Sequence, residues 1–164
     1  MLRKIESSEN VRVLVRLRPG FSEPNMQTVF GIKCISDTEL VLQVPKQKVK
    51  NVYSYDGCFD SSCSQHTLFE KSGIDQILDK VLSGYSSTIF AYGPTGSGKT
   101  YTISGIPQDI INYGSGDDSD GLTIRAIESL FEKIEQAECE GAKFLVRASP
   151  LFSLALTPLS LVSF

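Results

Sequence analysis

The sequence lacks the long hydrophobic runs and the strong charge bias that mark several large classes of protein. No stretch approaches the ~18 consecutive apolar residues of a membrane-spanning helix. The first eight residues, Met-Leu-Arg-Lys-Ile-Glu-Ser-Ser, lack the apolar segment of a secretory signal peptide. The net charge of the 164 residues is only −3, which leaves no overall electrostatic footprint for nucleic acid. We therefore expect an intracellular protein with neither a membrane nor a nucleic acid as its partner.

Cysteine is also scarce. Four cysteines in 164 residues do not make a disulfide scaffold. Cys58 and Cys63 lie close to His66 in the sequence, but no second ligand pair follows at a spacing that suits zinc. We expect reduced thiols and no zinc site. Apolar residues make up 41% and charged residues 21%, which is typical of a globular protein and excludes a wholly disordered chain.

Charge is unevenly distributed along the chain. Residues 1–50 contain nine Lys and Arg against five Asp and Glu, a balance of +4. Residues 51–164 contain seven against fourteen, a balance of −7. We interpret both regions as solvated surfaces of mixed sign.

The first third of the chain predicts short strands. Apolar and polar residues alternate from Val11 to Arg18, and a period of two predicts a strand, which Pro19-Gly20 ends. Residues 29–35 and 39–44 predict two more strands around a turn at Asp37-Thr38. A basic loop follows, with Lys46, Lys48 and Lys50.

Helices and strands then alternate, which favours a layered α/β fold. Ser64 is expected to cap a helix that Gly84 ends, and residues 88–92 predict a buried strand. The apolar stripe of this helix consists of Ile74, Ile77, Leu78, Val81 and Leu82.

A second helix is expected between Thr123, as its cap, and Gly141. Residues 144–148 resemble a further strand, and residues 106–121 read as an exposed loop. The apolar face of the second helix consists of Ile127, Leu130, Phe131 and Ile134.

A glycine-rich motif follows the strand at 88–92 and fits the pattern G-x-x-x-x-G-K-[ST]. Its glycines allow backbone N–H groups to curl around an anion, and a helix is expected to begin at Lys99. In such loops the lysine reaches the β- and γ-phosphates, and the Thr100 hydroxyl ligates Mg²⁺. The motif predicts a P-loop that binds a nucleotide with Mg²⁺, formed by Gly93, Pro94, Thr95, Gly96, Ser97, Gly98, Lys99 and Thr100.

No catalytic residue follows from the sequence. Hydrolysis also needs an acidic residue behind the Mg²⁺ ion and a group that orients water. The one D-x-x-G match, at residues 118–121, has no apolar strand before it, and we interpret it as a chance match. No N-K-x-D string for guanine recognition is present.

The residues around this loop resemble the kinesin motor domain. Residues 91–102 are similar to its P-loop, A-Y-G-Q-T-G-[ST]-G-K-T, with Pro94 in place of the usual Gln. In the loops that it resembles, the side chain at this position points away from the phosphate cradle, so we expect phosphate binding to survive Pro94. The first strand resembles the family's R-x-R-P segment, and the resemblance implies that Arg16, Arg18 and Pro19 form a shelf for the adenine ring.

Further family segments follow in the family's order. They lie at residues 55–60, 64–69, 87–92 and 121–131. The resemblance implies a P-loop NTPase fold of the α/β class, with a central mixed sheet flanked by helices. It also implies ATP and Mg²⁺ as ligands, tubulin or microtubules as the partner, microtubule-stimulated ATPase activity, and a cytoplasmic, cytoskeletal location.

The resemblance covers residues 11–149, with residues 1–10 as an N-terminal extension and 150–164 as a divergent tail. The tail contains no charged residue, and Pro150 and Pro158 interrupt it. The family's switch strings, N-x-x-S-S-R-S-H and D-L-A-G-S-E, are absent. We expect a truncated motor domain with an incomplete sheet, open strand edges, marginal stability and no ATP turnover by this chain alone.

Two other readings stay open. One is a small, complete P-loop metabolite kinase, although 92 residues precede the loop and only Arg125 and Arg147 follow it. The other is a non-catalytic decoy or interaction fragment. We expect no tight microtubule binding, because the balance of −7 in residues 51–164 does not favour contact with acidic tubulin.

Overall fold

The computed structural model describes residues 11–19, 31–43, 50–106, 119–139 and 141–147, together with the backbone of 159–163. The chain divides into two compact units, Met1–Cys63 and Ser64–Phe164, called here the first and second units. Strands make up the regular structure described in the first unit, and helices dominate that of the second. The α/β class expected from the sequence is confirmed.

The first unit contains five strands in its described part. Three form an antiparallel sheet in the order β2-β3-β4, and two form the parallel pair β1-β5, in which Leu14 lies opposite Gly57 and Arg16 opposite Phe59. The strands are β1 (Leu14–Arg16), β2 (Gly31–Cys34), β3 (Glu39–Gln43), β4 (Lys50–Ser54) and β5 (Gly57–Phe59).

The hairpin between β2 and β3 confirms the turn expected at Asp37-Thr38, and it also contacts β5. The Cys58 amide donates to the Asp37 carbonyl at 2.7 Å, and the Tyr55 amide donates to the Thr38 carbonyl at 2.8 Å. Directly before β1, the Val13 amide donates to the Asp56 carboxylate at 2.7 Å. The bond from Cys58 of β5 to the hairpin joins the two small sheets of the first unit.

The second unit contains four helices and two strands in its described part. β6 and β7 pair antiparallel, with Thr88 opposite Ser163 and Tyr92 opposite Leu159. The elements are α1 (Gln65–Ser72), α2 (Ile74–Leu82), β6 (Thr88–Tyr92), α3 (Lys99–Ser104), α4 (Leu122–Cys139) and β7 (Leu159–Ser163). None of the helices that the structure describes is both long and apolar enough to cross a bilayer.

The single helix expected between Ser64 and Gly84 is instead two helices. Ser64 caps the first as predicted, because its hydroxyl accepts a hydrogen bond from the Thr67 amide at 3.0 Å. Gly73 then adopts a left-handed conformation, with φ of 78°, and separates α1 from α2. A glycine reaches this conformation without the strain that a Cβ brings, so the chain turns there.

The core of the second unit lies where α2 packs on α4. Ile74 and Leu78 of α2 are buried, as are Ala126 and Ile134 of α4. The expected stripe on α4 was wrong in part, since Ile127 is 43% and Phe131 46% exposed. Buried residues on α4 recur instead at spacings of four and eight, from Leu122 through Ala126 to Ile134.

Several boundaries differ from the sequence predictions. Thr123 lies inside α4, which already begins at Leu122, so it is not the cap. Lys50 begins β4 and does not belong to the basic loop, whose other two lysines lie outside the described residues. Residues 144–147 form no strand, and Ala148 lies outside the described residues. β1 is also shorter than expected, because its pairing with β5 spans only three residues.

The strands in the described residues are divided among three small sheets. Within the tail, Leu159–Ser163 pairs with β6 along one of its edges. β7 begins directly after Pro158, which is consistent with proline standing at the start of a strand. β6 itself is not the buried strand expected, since Phe90 is 56% and Tyr92 79% exposed.

Candidate nucleotide-binding site

The glycine-rich motif connects a strand to a helix. β6 ends at Tyr92 and α3 begins at Lys99, as the sequence predicted. Gly96 and Gly98 have φ of 77° and 99°, a region that residues with a Cβ adopt only with strain. At Gly93, a Cβ would lie 2.6 Å from the Ser97 hydroxyl oxygen. The loop is therefore a close-packed turn that needs glycine at these three positions.

The Lys99 side chain lies across this loop. Its ammonium nitrogen donates to the carbonyl oxygens of Gly93 and Pro94, each at 3.0 Å. The Lys99 residue is half-buried. Since an ammonium carries three N–H donors, these two bonds hold the charge at the loop with a third donor to offer an anion. The positive charge that the motif predicts is thus placed at the loop.

The start of α3 contributes backbone donors and the Thr100 hydroxyl. The Thr102 amide makes a helical bond to the Gly98 carbonyl at 2.9 Å, so the amides of Lys99 and Thr100 precede the first helical bond. Gly98 is the N-cap and has no side chain to cap these amides. Thr100 is exposed. The helix end can therefore offer amides to an anion and a hydroxyl to a cation.

Pro94 changes the donor set of the loop. Proline has no N–H, so this position offers a carbonyl and no amide. That carbonyl accepts from the Ser97 amide at 3.2 Å and from the Lys99 ammonium at 3.0 Å. Pro94 is exposed, so its ring does not fill the loop. The substitution is compatible with the turn and removes one possible phosphate contact.

α3 is attached to the rest of the second unit at both ends. The buried Gln65 side chain of α1 donates to the carbonyl of Tyr101. Beyond the helix, Gly105 forms a bridge with Asp120, and the Ile106 amide donates to the Ser119 carbonyl at 2.9 Å. The sequence predictions assigned no role to Gln65, although it follows the Ser64 cap in the segment at residues 64–69 that resembles the kinesin family.

The D-x-x-G match lies at the start of α4. Asp118 is outside the described residues, and the Asp120 carbonyl accepts from Arg125 Nε at 3.0 Å. Gly121 is buried against the backbone at the end of α3. The described part of this match, residues 119–121, lies between the end of α3 and the start of α4.

The three residues expected to contact adenine lie in the first unit, whereas the P-loop lies in the second. Arg16 ends β1 and is half-buried, and its guanidinium donates to the Cys63 carbonyl at 2.9 Å. The Leu17 amide donates to the Phe59 carbonyl at 2.9 Å and continues the pairing with β5. Arg18 and Pro19 follow on the exposed side of the strand end.

Two of the four cysteines, Cys34 and Cys58, form a thiol pair, in which Cys58 is buried and Cys34 is partly exposed. A hydrogen bond links the thiols of Cys34 and Cys58, and burial is the main reason that the pKa of each thiol is raised. Within the described residues no three His, Cys, Asp or Glu side chains come together as a metal site. A thiol with a raised pKa is a weak metal ligand, because the thiolate is the form that binds.

A strand, a glycine-rich turn with its lysine folded over it, and a helix that begins at Lys-Thr define a P-loop fold of the α/β class. Comparison with known proteins extends this result. The family model described as the kinesin motor domain matches residues 16–152. The chain therefore belongs to the kinesin motor-domain family.

Individual relatives agree with this family. The chain is 33% identical to Carboxy-terminal kinesin 2 of Xenopus laevis over 88% of this chain and 23% of that protein. It is 34% identical to the kinesin-like protein cut7 of Schizosaccharomyces pombe over 84% of this chain and 13% of that protein. A solved structure of a fast kinesin superposes with a TM-score of 0.61 and 29% identity, covering 77% of this chain and 33% of the other. The chain thus spans less than a quarter of the length of these two relatives.

Proposed function

We propose that this chain binds ATP with Mg²⁺ through residues 93–100, as the nucleotide-binding part of a microtubule motor. The observation that carries this proposal is the position of Lys99, whose ammonium lies 3.0 Å from two loop carbonyls. A cation held at a glycine-rich turn, beside the amides of a helix start, suits a polyphosphate. The membership of the kinesin family supports ATP as that polyphosphate.

Thr100 would hold Mg²⁺ through its hydroxyl. The residue is exposed at the first turn of α3, next to the lysine that would contact the phosphates. A hydroxyl is a suitable oxygen ligand for Mg²⁺, which commonly keeps several waters and takes the rest of its shell from phosphate oxygens. When bound, the metal neutralises phosphate charge, and the chain's own part is to position the two residues that contact metal and phosphate.

Arg16, Arg18 and Pro19 would contact the adenine ring. They stand at the end of β1, where the strand leaves its pairing with β5. The Arg16 guanidinium is held by the Cys63 carbonyl at 2.9 Å, which fixes one side of such a shelf. A guanidinium and a proline ring both offer flat surfaces that stack on a base.

This chain on its own would bind nucleotide without appreciable turnover and without tight microtubule binding. The eight P-loop residues supply binding groups, whereas the two switch strings of the family, N-x-x-S-S-R-S-H and D-L-A-G-S-E, are absent from the sequence. Track binding and movement belong to the whole motor proteins of the family. An ATPase that microtubules stimulate and that Lys99→Ala abolishes, measured on the 164-residue chain, would contradict the loss of turnover.

The binding test uses a fluorescent ATP analogue, mant-ATP, with purified wild-type chain and two variants. Lys99→Ala should weaken binding about tenfold to a hundredfold, because it removes a charge-assisted contact to phosphate. Lys80→Ala is the matched control, since Lys80 is an exposed lysine in the last turn of α2. Equal affinity in Lys99→Ala and the wild type would refute the proposed site.

A further inference from the structure

One polar side chain in the second unit is buried where apolar packing would be expected. Gln65 is 0% exposed, at the first residue of α1. Ser64 fixes that helix start, because its hydroxyl accepts from the Thr67 amide at 3.0 Å. A buried amide costs free energy unless it is hydrogen-bonded, so the partner of Gln65 matters.

The backbone of α3 supplies one such partner. The Gln65 amide nitrogen donates to the carbonyl of Tyr101, which also accepts from the Gly105 amide at 3.0 Å. Tyr101 is two residues beyond Lys99 and one beyond Thr100. The bond therefore joins α1 to the turn of α3 that carries the residues proposed to contact phosphate and Mg²⁺.

α3 needs such an anchor because it is short. A helix of six residues is not stable by itself and takes its position from tertiary contacts. Ile103 is 5% exposed and anchors the helix by apolar burial, which is not directional. A hydrogen bond to one carbonyl is directional, so it selects the rotation and height of the helix.

We infer that Gln65 is a positioning residue, which sets the orientation of Lys99 and Thr100 through the Tyr101 carbonyl. This inference rests on the proposed function. It assigns to the segment before the P-loop a role in Mg²⁺-dependent nucleotide binding that its packing alone does not require. In this inference Gln65 contacts neither phosphate nor metal itself and acts through its bond to α3.

The test measures the affinity for mant-ATP of the whole chain twice, with Mg²⁺ and with a chelator. The dissociation constant with the chelator, divided by that with Mg²⁺, reports how well Thr100 and Lys99 hold the metal-bound phosphates. Gln65→Met keeps a similar side-chain length and removes both N–H donors. We expect that ratio to fall about tenfold in this variant, because the lost bond to the Tyr101 carbonyl no longer fixes the orientation of α3.

Ser72→Ala is the matched control. Ser72 is the other buried polar residue of α1 among those described, at 2% exposure. Its hydroxyl donates to the Phe69 carbonyl at 2.7 Å and accepts from the Ile74 amide at 3.2 Å, so it serves the α1–α2 junction. This variant should lose thermal stability and keep the wild-type Mg²⁺ ratio, which separates positioning from simple destabilisation.

A second measurement avoids the variant altogether, should Gln65→Met fail to fold. In the wild-type chain, the side-chain amide resonances of Gln65 should shift when ATP and Mg²⁺ are added. A Gln65→Met ratio equal to that of wild type, or unmoved Gln65 resonances at saturation, overturns the positioning role alone. A folded wild type that binds no mant-ATP in either buffer overturns the nucleotide proposal, and the positioning role falls with it.

Discussion

The two units of this chain support their candidate binding residues in different ways. In the second unit, each of the four helices buries at least one apolar side chain, and the P-loop leads directly into α3. In the first unit, the described apolar side chains that are buried are Leu40, Cys58 and Phe59, all on strands. The proposed phosphate site thus rests on a helical core, whereas the proposed adenine shelf rests on backbone pairing between short strands.

This difference predicts where in the chain a substitution should cost little stability. Helices packed at spacings of three and four share one core, so a void there affects several elements. Short strands joined by backbone bonds depend less on any one side chain. Substitutions in matched pairs, one in each unit, can test this view.

The largest expected effect is the loss of a core leucine. Leu78 of α2 is 0% exposed, and Leu40 of β3 is 7% exposed. Leu78→Ala should lower the free energy of unfolding by about 4 kcal/mol, and Leu40→Ala by about 2 kcal/mol, because the better-packed site leaves the larger cavity. Urea denaturation followed by circular dichroism measures both. An equal or reversed order would mean that the first unit has the tighter core.

Two glycines give the next comparison. At Gly121 a Cβ would lie 2.5 Å from the Ile103 carbonyl oxygen, which is backbone. At Gly57 it would lie 2.9 Å from Leu14 Cδ2, the far end of a flexible side chain. Gly121→Ala should therefore cost about 3 kcal/mol and Gly57→Ala about 1 kcal/mol.

Thermal unfolding of the two alanine variants measures this difference. Gly84→Ala is a useful control, because its φ of 93° adds backbone strain in open space and no collision. A Gly121→Ala chain as stable as Gly84→Ala would show that the ends of α3 and α4 can separate without loss.

The smallest expected effect concerns the charges between α2 and α4. Lys133 donates to Asp79 at 2.7 Å and to Asp75 at 3.1 Å, and Ser129 donates to Asp75 at 2.8 Å. The side chain of Asp75 is 52% exposed and that of Asp79 is 60% exposed, so solvent screens both ion pairs. Lys133→Ala should cost only about 0.5 kcal/mol, measurable by urea denaturation at neutral pH.

The pH dependence of this cluster has a definite sign. The hydrogen bond from Ser129, followed by the contacts from Lys133, lowers the pKa of Asp75 from its usual 3.8. A lowered folded-state pKa contributes stability above the unfolded value, and that stability is lost as the pH falls through the folded-state pKa. Wild type and Lys133→Ala should converge in stability under acid.

In the first unit, the pKa of Asp60 is lowered by hydrogen bonds from Ser62, two residues away, so Asp60→Asn affects a local turn alone.

Local sequence patterns predicted the elements on either side of the glycine-rich loop better than the pairing of strands. The limits of β6, the start of α3 and the cap at Ser64 are all confirmed, because each depends on residues within a few positions. The prediction of a strand at 144–148 was wrong for residues 144–147. A strand forms only with a partner strand, and its own sequence does not identify that partner. The same reason explains why β4, β5 and the pairing of β7 with β6 were not predicted.

The sequence by itself determined the glycine-rich loop, its lysine and threonine, and the family to which the chain belongs, because these follow from residue types at fixed spacing. Only the tertiary structure decided that Gly73 divides the first helix and that Lys99 folds onto the loop carbonyls. It also decided that Gln65 reaches the Tyr101 carbonyl. Such contacts join residues up to 36 positions apart in the sequence. Packing brings these residues together, and local periodicity does not predict which of them meet.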